Sequence, residues 1–268
     1  MDYKEYVPDQ RLLAFIKAHW SLESADGEKP HSRERVFPDG CIEVLFHYGD
    51  LFTKFDSSGN RYVQPLNLIH GQITSFIELE ATGKVGILSA RFMPFGLRPF
   101  VNIDIDSITD KVVLLTDVWP DAQPFVDEMA NCTNNTERIQ KLEDFLILKL
   151  DLSRHDKAVE CCVSEISASN GSCAIEKLSE RLHVGKRHLE RRFRASVGLS
   201  LKMYSRIVRF NNALQLIENR DFSTFTNVAL DGGFYDQAHF IKDFKDLTGL
   251  NPKQYFRENL EMVKFFNL

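Results

Sequence analysis

Two amphipathic helical segments that lie fifty residues apart constrain this chain more than any other feature. They are expected over residues 186–196 and 236–247, and each follows a short apolar-faced helix and a tight turn. Their apolar residues recur at helical spacing: Leu189, Phe193 and Val197 in the first segment, and Phe240, Phe244 and Leu247 in the second. A short helix, a turn and an amphipathic helix make a helix-turn-helix unit. The C-terminal part of the chain is therefore predicted to be all-α, with two such units.

The turns in front of the two segments contain the residues that such turns need. His183-Val184-Gly185 interrupts the first unit, and Asp231-Gly232-Gly233 ends the short helix of the second. Glycine adopts backbone conformations that are closed to other residues. Asp236 is the expected N-cap of the second amphipathic helix, because its carboxylate can accept a hydrogen bond from a free backbone amide.

The polar side of the first helix is strongly basic, with five positive charges and one negative charge in eleven residues. Arginine can donate two hydrogen bonds to guanine, and glutamate can accept one from cytosine. The candidates for base reading lie opposite the apolar face: Arg187, Glu190, Arg191 and Arg194. The sequence leaves open the alternative of a basic helix that only faces solvent.

The second helix is less basic than the first. Gln237 can read adenine, Ile241 can contact the methyl group of thymine, and Lys242 shares this polar side. Contacts to phosphate position a protein on DNA without specifying the sequence. The candidates for phosphate contacts are Lys186, Arg192, Lys202 and Lys245. A helix predicted over residues 200–219 packs against both units and fixes the separation of the two amphipathic helices.

A string of residues across 172–259 carries a family resemblance. It consists of Leu178, Leu189-x-x-x-Phe193-x-x-x-x-Gly198, Tyr204, Arg209-x-x-x-Ala213, Val228-Ala229-x-x-x-Gly233-Phe234, Phe240-x-x-x-Phe244-x-x-x-x-Gly249 and Pro252-x-x-Tyr255-x-Arg257. This string resembles the DNA-binding domain of the AraC/XylS family of bacterial transcription regulators. The resemblance implies that the two amphipathic helices are recognition helices, and it adds Ala238 to the base-reading positions. Two residues depart from the family pattern. Gly185 stands where the family usually has Ser or Thr, and Ser179 stands where it usually has Ala.

The net charge of −5 is divided unevenly along the 268 residues. Residues 1–171 contain 17 Lys and Arg against 27 Asp and Glu, a net charge of −10. Residues 172–268 contain 16 against 11, a net charge of +5, which favours a nucleic-acid-binding part. The small, polar stretch 167–172 has the composition of a linker. The predicted domains are 1–150, β-rich with a C-terminal helix; 151–171, a helical segment and linker; and 172–268, DNA-binding.

Most of the first half is predicted to form β-strands, so the fold class is α+β. The candidate strands are rich in β-branched and aromatic residues and are separated by turn signals: 41–48, 51–55, 61–64, 67–70, 76–80 and 85–92. Helices are expected over 136–150 and 155–166. The family resemblance implies a jelly-roll or cupin-like sensor domain at this end. The segments 37–46 and 90–96 resemble an uncharacterised sensor-like domain of one branch of the family.

Polar residues on strands that otherwise suit a core could line an effector pocket. The candidates are Arg33, Glu43, His47 and Arg91. The alternative is that these side chains point outward or form ion pairs, because alternation along a strand places polar residues outside by default. The helix over 136–150 could form a dimer interface or pack on its own β-domain. The charge division also permits the acidic domain to mask the DNA-binding face.

The remaining residue patterns indicate no catalytic residues, metal or cofactor. Five cysteines include no CxxC pair, and the eight histidines form no ligand cluster, which suggests a reducing compartment. No apolar stretch is long enough for a membrane helix, and a cytoplasmic location is expected. The expected partners are double-stranded promoter DNA, a small-molecule effector, a second copy of the chain and, for an activator, RNA polymerase. The alternative function is a DNA-binding module fused to an enzyme domain that the sequence does not reveal.

Overall fold

The N-terminal half of the chain forms two antiparallel β-sheets. The computed structural model describes residues 1–25, 33–56, 59–218 and 224–255. The strands follow in chain order: β1 Asp2–Tyr6, β2 Ile16–Glu23, β3 Glu34–Val36, β4 Ile42–His47, β5 Phe52–Phe55, β6 Arg61–Val63, β7 Asn67–His70, β8 Ile77–Ala81, β9 Gly86–Phe92 and β10 Val112–Leu114. One sheet has the order β1-β2-β9-β4-β7-β10, and the other has the order β3-β8-β5-β6. The predicted β-rich architecture is confirmed.

Strand β9 shows how the larger sheet separates two packed layers. Its side chains alternate between faces, yet all seven residues are buried. On one face, Ile87 joins Phe52 of the smaller sheet in an apolar cluster. On the other face, Leu88 and Phe92 join the main core, which includes residues of the C-terminal helices. The larger sheet therefore packs against the smaller sheet on one side and against helices on the other.

The C-terminal half is helical, and short helices also follow the strands. The α-helices are α1 Leu115–Val118, α2 Gln123–Ala130, α3 Asn135–Lys149, α4 Lys157–Ala168, α5 Ile175–Arg181, α6 Lys186–Val197, α7 Leu201–Glu218, α8 Phe225–Asp231, α9 Gln237–Thr248 and α10 Pro252–Tyr255. Short 3-10 helices lie at Arg98–Phe100, Ile105–Ile108 and Leu152–Arg154. Asn219 and Arg257, which the sequence analysis includes, lie outside the described residues.

Helix α3 packs on its own domain, as one of the two alternatives for residues 136–150 predicted. Leu142 and Leu146 are fully buried, and the ring of Phe145 stacks on Phe125 with 4.1 Å between ring centroids. Leu148 on the same helix is 84% exposed. The dimer interface stays a prediction.

Helix α4 attaches the segment 151–171 to the C-terminal helices. It contacts α6 and α7, and its residues Val159, Cys162 and Ile166 are fully buried in the same core as α6. Residues 167 and 168, which were predicted to begin a linker, are the last residues of α4. The domain boundaries stay a prediction, but the contacts of α4 favour a boundary before residue 157.

The strands within residues 41–92 lie where they are predicted, to within two residues at each end. Strands β1, β2, β3 and β10 were not predicted. Along β2, the apolar residues Ile16, Ala18, Trp20 and Leu22 alternate with others, which is the period of a half-buried strand. That signal could have revealed the strand.

Candidate nucleic-acid interface

The first helix-turn-helix unit consists of α5 and α6. The turn between them contains His183 with a positive φ of 51° and ends at Gly185, which precedes α6 without a side-chain cap. The apolar side of α6 is fully buried at Leu189, Phe193 and Val197, as predicted. The helix ends at Gly198 in the left-handed conformation, with a φ of 86°. The unit therefore has the parts that its sequence predicts.

The four predicted base-reading residues of α6 lie together on one side of the helix. Arg187, Arg191 and Arg194 are exposed, and Glu190 is half-buried. A guanidinium nitrogen of Arg191 lies 3.0 Å from Nδ1 of His188 on the same helix. This side presents hydrogen-bond donors and one carboxylate to solvent, and these groups suit guanine and cytosine edges.

The predicted phosphate-contacting residues lie in different surroundings. Lys202 and Lys245 are exposed. The ammonium group of Lys186 lies 2.5 Å from Oε1 of Glu176 on α5, where both side chains are exposed. Lys186 thus holds a weak surface ion pair that phosphate can replace.

Arg192 is tied into the protein. Its Nε and a terminal nitrogen each donate a 2.6 Å hydrogen bond to the carboxylate of Asp156, which also caps the N-terminus of α4. Burial opposes ionisation of Asp156, but the hydrogen bonds and charge of Arg192, together with the amides of Val159 and Ala158, outweigh it, so the pKa of Asp156 lies below its ordinary value. The pair joins α6 to α4 and makes Arg192 a structural residue as well as a phosphate candidate.

The second unit consists of α8 and α9, and its N-cap is confirmed. Asp236 precedes α9 and its Oδ1 accepts a 2.7 Å hydrogen bond from the amide of His239. Phe240, Phe244 and Leu247 are fully buried, as predicted. The helix ends at Gly249 with a φ of 74°.

The predicted base-reading residues of the second unit share an exposed side: Gln237, Ala238, Ile241 and Lys242. The side-chain oxygen of Gln237 accepts a 2.9 Å hydrogen bond from the hydroxyl of Thr226 on α8. Tyr235, in the turn before α9, is 88% exposed, and the sequence analysis did not single it out. An aromatic residue next to a predicted N-cap is the signal that could have found it.

Helix α7 joins the two units through its buried side. Ile207, Phe210 and Leu214 are fully buried, and the ring of Phe210 packs edge-on against Phe244 of α9. Arg206 of α7 also contacts Asp243 at 2.8 Å and Asp246 at 2.6 Å. Helices α6 and α9 therefore rest on one helix, which limits their relative movement.

A cavity of about 80 Å³ lies between the two sheets and contains part of the predicted effector site. Its lining is mostly apolar, with Trp20, Phe52 and Ile87, and Glu43 lies at a polar end. Glu43 accepts hydrogen bonds from Trp20 at 3.1 Å and from Ser89 at 2.5 Å. Burial raises the pKa of Glu43 to about 7, although the nearby Arg91 acts in the opposite direction.

Arg91 joins Glu43 to the loop before β4. Its guanidinium group lies 3.4 Å from Glu43 and forms an ion pair with Asp39, which also lines the cavity. Arg33 and His47 lie apart from this cluster. Arg33 is exposed on the smaller sheet, 3.3 Å from Glu78, whereas His47 is buried beside Phe52 and burial lowers its pKa to about 4. The structure brings Glu43 and Arg91 together and places the other two elsewhere.

A buried lysine that was not predicted lies next to the cavity. Lys54 is 1% exposed, and its ammonium group donates to Nε2 of His70 over 3.2 Å. The other nitrogen of His70 lies 3.0 Å from the carbonyl oxygen of Gly71, which it contacts as donor. Burial lowers the pKa of Lys54 to about 8 and the pKa of His70 to about 3. His70 also lines the cavity.

No group of three or more His, Cys, Asp or Glu side chains suited to a metal ion occurs among the described residues. Each of the five cysteines is a free thiol. Burial raises the pKa of Cys41 to about 12, which keeps its thiol protonated and unreactive at neutral pH.

Two family models match this chain, one in each half. Residues 178–258 match the model of a helix-turn-helix domain, and residues 4–114 match that of a domain of unknown function (DUF6597). The first match spans both units and the family-like residue string. The C-terminal part of the chain is an AraC-type helix-turn-helix domain.

The relatives in sequence match less than half of this chain. An uncharacterized HTH-type transcriptional regulator of Staphylococcus aureus is 32% identical over 82 residues, which cover 31% of this chain and 11% of that protein. The Msm operon regulatory protein of Streptococcus mutans is 29% identical over 120 residues, which cover 44% of this chain and 43% of that protein. The chain thus spans less than half the length of either relative.

Two solved structures are also similar. ToxT from Vibrio cholerae aligns with a TM-score of 0.46 and 12% identity, covering 86% of this chain and 98% of that one. A probable AraC family transcriptional regulator from Rhodopseudomonas palustris aligns with a TM-score of 0.35 and 28% identity, covering 38% of this chain and 96% of that one.

The helices in the described part of the chain include none with the length and apolar character that a membrane span requires.

The β-domain contacts the AraC-type domain at several places in the described part of the chain, three of which involve glycines. Gly40 lies against the ring of Tyr204 on α7, where an added Cβ would come within 2.9 Å of the ring. The hydroxyl of Thr109 donates a 2.7 Å hydrogen bond to the carbonyl of Gly198 at the end of α6. The ring of Phe76 packs on Gly249 at the end of α9. The AraC-type domain therefore packs on the β-domain through α7 and the ends of α6 and α9.

Proposed function

We propose that the chain is a sequence-specific transcription regulator that reads two major-groove segments of double-stranded DNA with α6 and α9. One observation carries the proposal: two helix-turn-helix units rest on one helix, α7, and each exposes a side of polar and base-compatible residues. Rigid separation of two recognition helices is what contact with successive major-groove segments requires. The relatives named as transcriptional regulators support it.

The roles of the residues follow from their side chains. We propose that α6 reads guanine and cytosine edges through Arg187, Glu190, Arg191 and Arg194. In α9, Gln237 would read adenine, and Ile241 and Ala238 would contact thymine methyl groups, with Lys242 beside them. Phosphate would be bound by Lys186, Lys202 and Lys245. Arg192 would also contact phosphate, with the N–H groups that its pair with Asp156 leaves available.

For the β-domain we propose a sensor role, with the cavity between the sheets as the effector site. Its mostly apolar lining and small volume suit a small molecule with one polar end, next to the Glu43–Arg91 cluster. A small molecule that binds the chain and changes its affinity for DNA would support this role. Thermal shift of the full chain against a small-molecule collection, followed by DNA titration with any stabilising compound, is the test.

We further propose that the chain acts by binding and not by catalysis, and that it acts in the cytoplasm, where bacterial DNA lies. The AraC-type domain and the named regulators support the first statement. Action as an activator, contact with RNA polymerase and dimerisation stay predictions.

Titration of two alanine variants tests the assignment of α6. The operator is first selected from a random duplex library with the full chain. Arg191→Ala is expected to cost about 1–3 kcal/mol on that operator and to relax preference at one base. Lys186→Ala is the control: it should weaken binding to operator and random DNA alike and reduce the salt slope by about one unit. Equal losses for Arg191→Ala on operator and random DNA would remove Arg191 from base reading.

A further inference from the structure

The exposed side of α6 faces an acidic segment of the β-domain. Asp104 and Asp106 line the same surface groove as Arg187, Arg191 and Arg194. These three arginines are predicted to read bases, so the groove lies where a DNA duplex would approach α6. The acidic segment is about eighty residues away in sequence and is brought there by the fold.

The segment is held against α6 by packing and by a hydrogen bond. Ile105 and Ile108 of its 3-10 helix are buried in the main core. The hydroxyl of Thr109 donates to the carbonyl of Gly198, the residue that ends α6. A Cβ atom on Gly198 would lie 2.8 Å from that hydroxyl oxygen, so the two elements are in close contact.

The two aspartates line the groove, and their carboxylates are not paired with the arginines of α6 in the described part of the chain. Both residues are exposed, and no ion pair within 4.0 Å joins either of them to α6 in the described part of the chain. The side chain of Asp104 is 63% exposed and lies 3.7 Å from Arg98. DNA carries one negative charge for about every 1.7 Å of helix axis. A duplex seated on α6 would therefore bring phosphates close to two carboxylates, which repel them.

The contact at the second unit is different in kind. Ser75 donates to the carbonyl of Asp246, and Phe76 packs on Gly249, so an uncharged hydroxyl and a ring meet the end of α9. This contact leaves the side with Gln237, Ile241 and Lys242 exposed. The β-domain thus restricts the two reading sides unequally.

We infer that the segment 104–109 is an autoinhibitory element that hinders DNA binding by α6 and leaves α9 open. The inference rests on the proposed function, because it requires α6 to be a DNA-reading helix. Full binding needs the segment to move away from α6 or its charge to be neutralised. The second unit can bind first, and the first unit follows when the segment is displaced.

Paired variants of the full chain test the inference by anisotropy titration on the selected operator. Asp104→Asn with Asp106→Asn removes both charges and breaks no described side-chain cap, because Asp104 precedes the 3-10 helix without one. The matched control is Asp117→Asn with Asp144→Asn, which removes two exposed charges elsewhere on the β-domain. We expect the first pair to bind operator roughly 3- to 30-fold more tightly at low salt, and the control less than twofold. The gain should shrink as salt rises.

Hydrogen exchange gives an independent measurement on the unmodified chain. Amides of the peptide 104–109 should exchange faster when operator is added, because the segment leaves α6. Slower or unchanged exchange would contradict the inference, and so would equal affinity gains for the two variant pairs. If either result is obtained while the chain still binds the operator sequence-specifically, the inference is wrong and the proposed function stands. If neither the chain nor any variant binds a duplex, the proposed function fails as well.

Discussion

The two helix-turn-helix units share an architecture and differ in charge and surroundings. Helix α6 carries five positive charges and one negative charge over 186–196, whereas α9 has two lysines balanced by Asp243 and Asp246. Helix α6 is paired to α4 by Arg192 and faces an acidic segment, whereas α9 is tied to α7 by Arg206. The first unit is thus strongly basic with its reading side facing carboxylates, and the second is nearly neutral with its reading side open to solvent.

Both units belong to one core, and removal of a central ring tests this most strongly. Phe193→Ala and Phe240→Ala each remove a fully buried ring from the main core. Each is expected to lower the free energy of unfolding by about 3–5 kcal/mol. Urea unfolding followed by circular dichroism should show one transition in both variants. A separate early transition in Phe240→Ala alone would mean that the second unit folds independently.

The pH dependence of one carboxylate variant, Asp156→Asn, would sharpen the comparison of how α6 is held. Asp156→Asn keeps an oxygen for the N-cap of α4 but loses the charge that faces Arg192. The loss is expected to be about 1–2 kcal/mol near neutral pH. Because the folded pKa of Asp156 is lowered, its contribution is complete above about pH 5 and disappears as the pH falls through the folded pKa.

Urea unfolding of the chain and of Asp156→Asn at pH 7 and pH 3 measures this contribution. The difference between them should be present at pH 7 and reduced at pH 3. Asp117→Asn serves as the control, since Asp117 is exposed. A difference that persists unchanged at pH 3 would show that the pair with Arg192 is not its source.

Salt dependence should separate the charges of the two units. Lys186→Ala in α6 is expected to reduce the slope of log affinity against log salt by roughly 0.9, because its ammonium group is proposed to neutralise a phosphate. Ile241→Ala in α9 should leave the slope unchanged, because it removes only an apolar contact. The titration is run on the selected operator between about 50 and 200 mM salt. Equal slopes for Lys186→Ala and the unaltered chain would place Lys186 away from phosphate.

The smallest expected effect concerns the missing cap of α6. Asp236 caps α9, whereas Gly185 precedes α6 and an added Cβ there would meet nothing within 4 Å. Gly185→Ser should therefore stabilise the chain by a few tenths of a kcal/mol. Gly198→Ala is the contrasting variant, because its φ of 86° and the nearby Thr109 disfavour a side chain. It should destabilise by about 1 kcal/mol or more, and stabilisation by both substitutions would contradict this account.

Local periodicity made the helical part predictable from sequence. The buried sides of α6 and α9, the turn at Gly232 and the cap at Asp236 all depend on residues within eight positions of one another. The polar cluster around Glu43 could be predicted only in part. Trp20, Ser89 and Arg91 reach it from other strands, and the pairing of strands across long separations leaves little local signal.

The acidic segment illustrates what sequence could not supply. The charge division of −10 and +5 suggested masking, but it did not indicate which carboxylates would face α6. Asp104 precedes a short 3-10 helix and Asp106 lies within it, in a stretch with no periodic pattern, and their position depends on the docking of Ile105 into the core. The location of these two carboxylates is therefore set by packing between segments that are distant in sequence.

Selection of duplexes from a random library by three forms of the full chain tests the central claim most directly. The forms are the unaltered chain, Arg191→Ala and Gln237→Ala. The unaltered chain should select a site with two motifs separated by about one helical turn. Arg191→Ala should relax only one motif and Gln237→Ala only the other. A single motif, or the same relaxation in both variants, would contradict the claim that α6 and α9 each read their own segment of DNA.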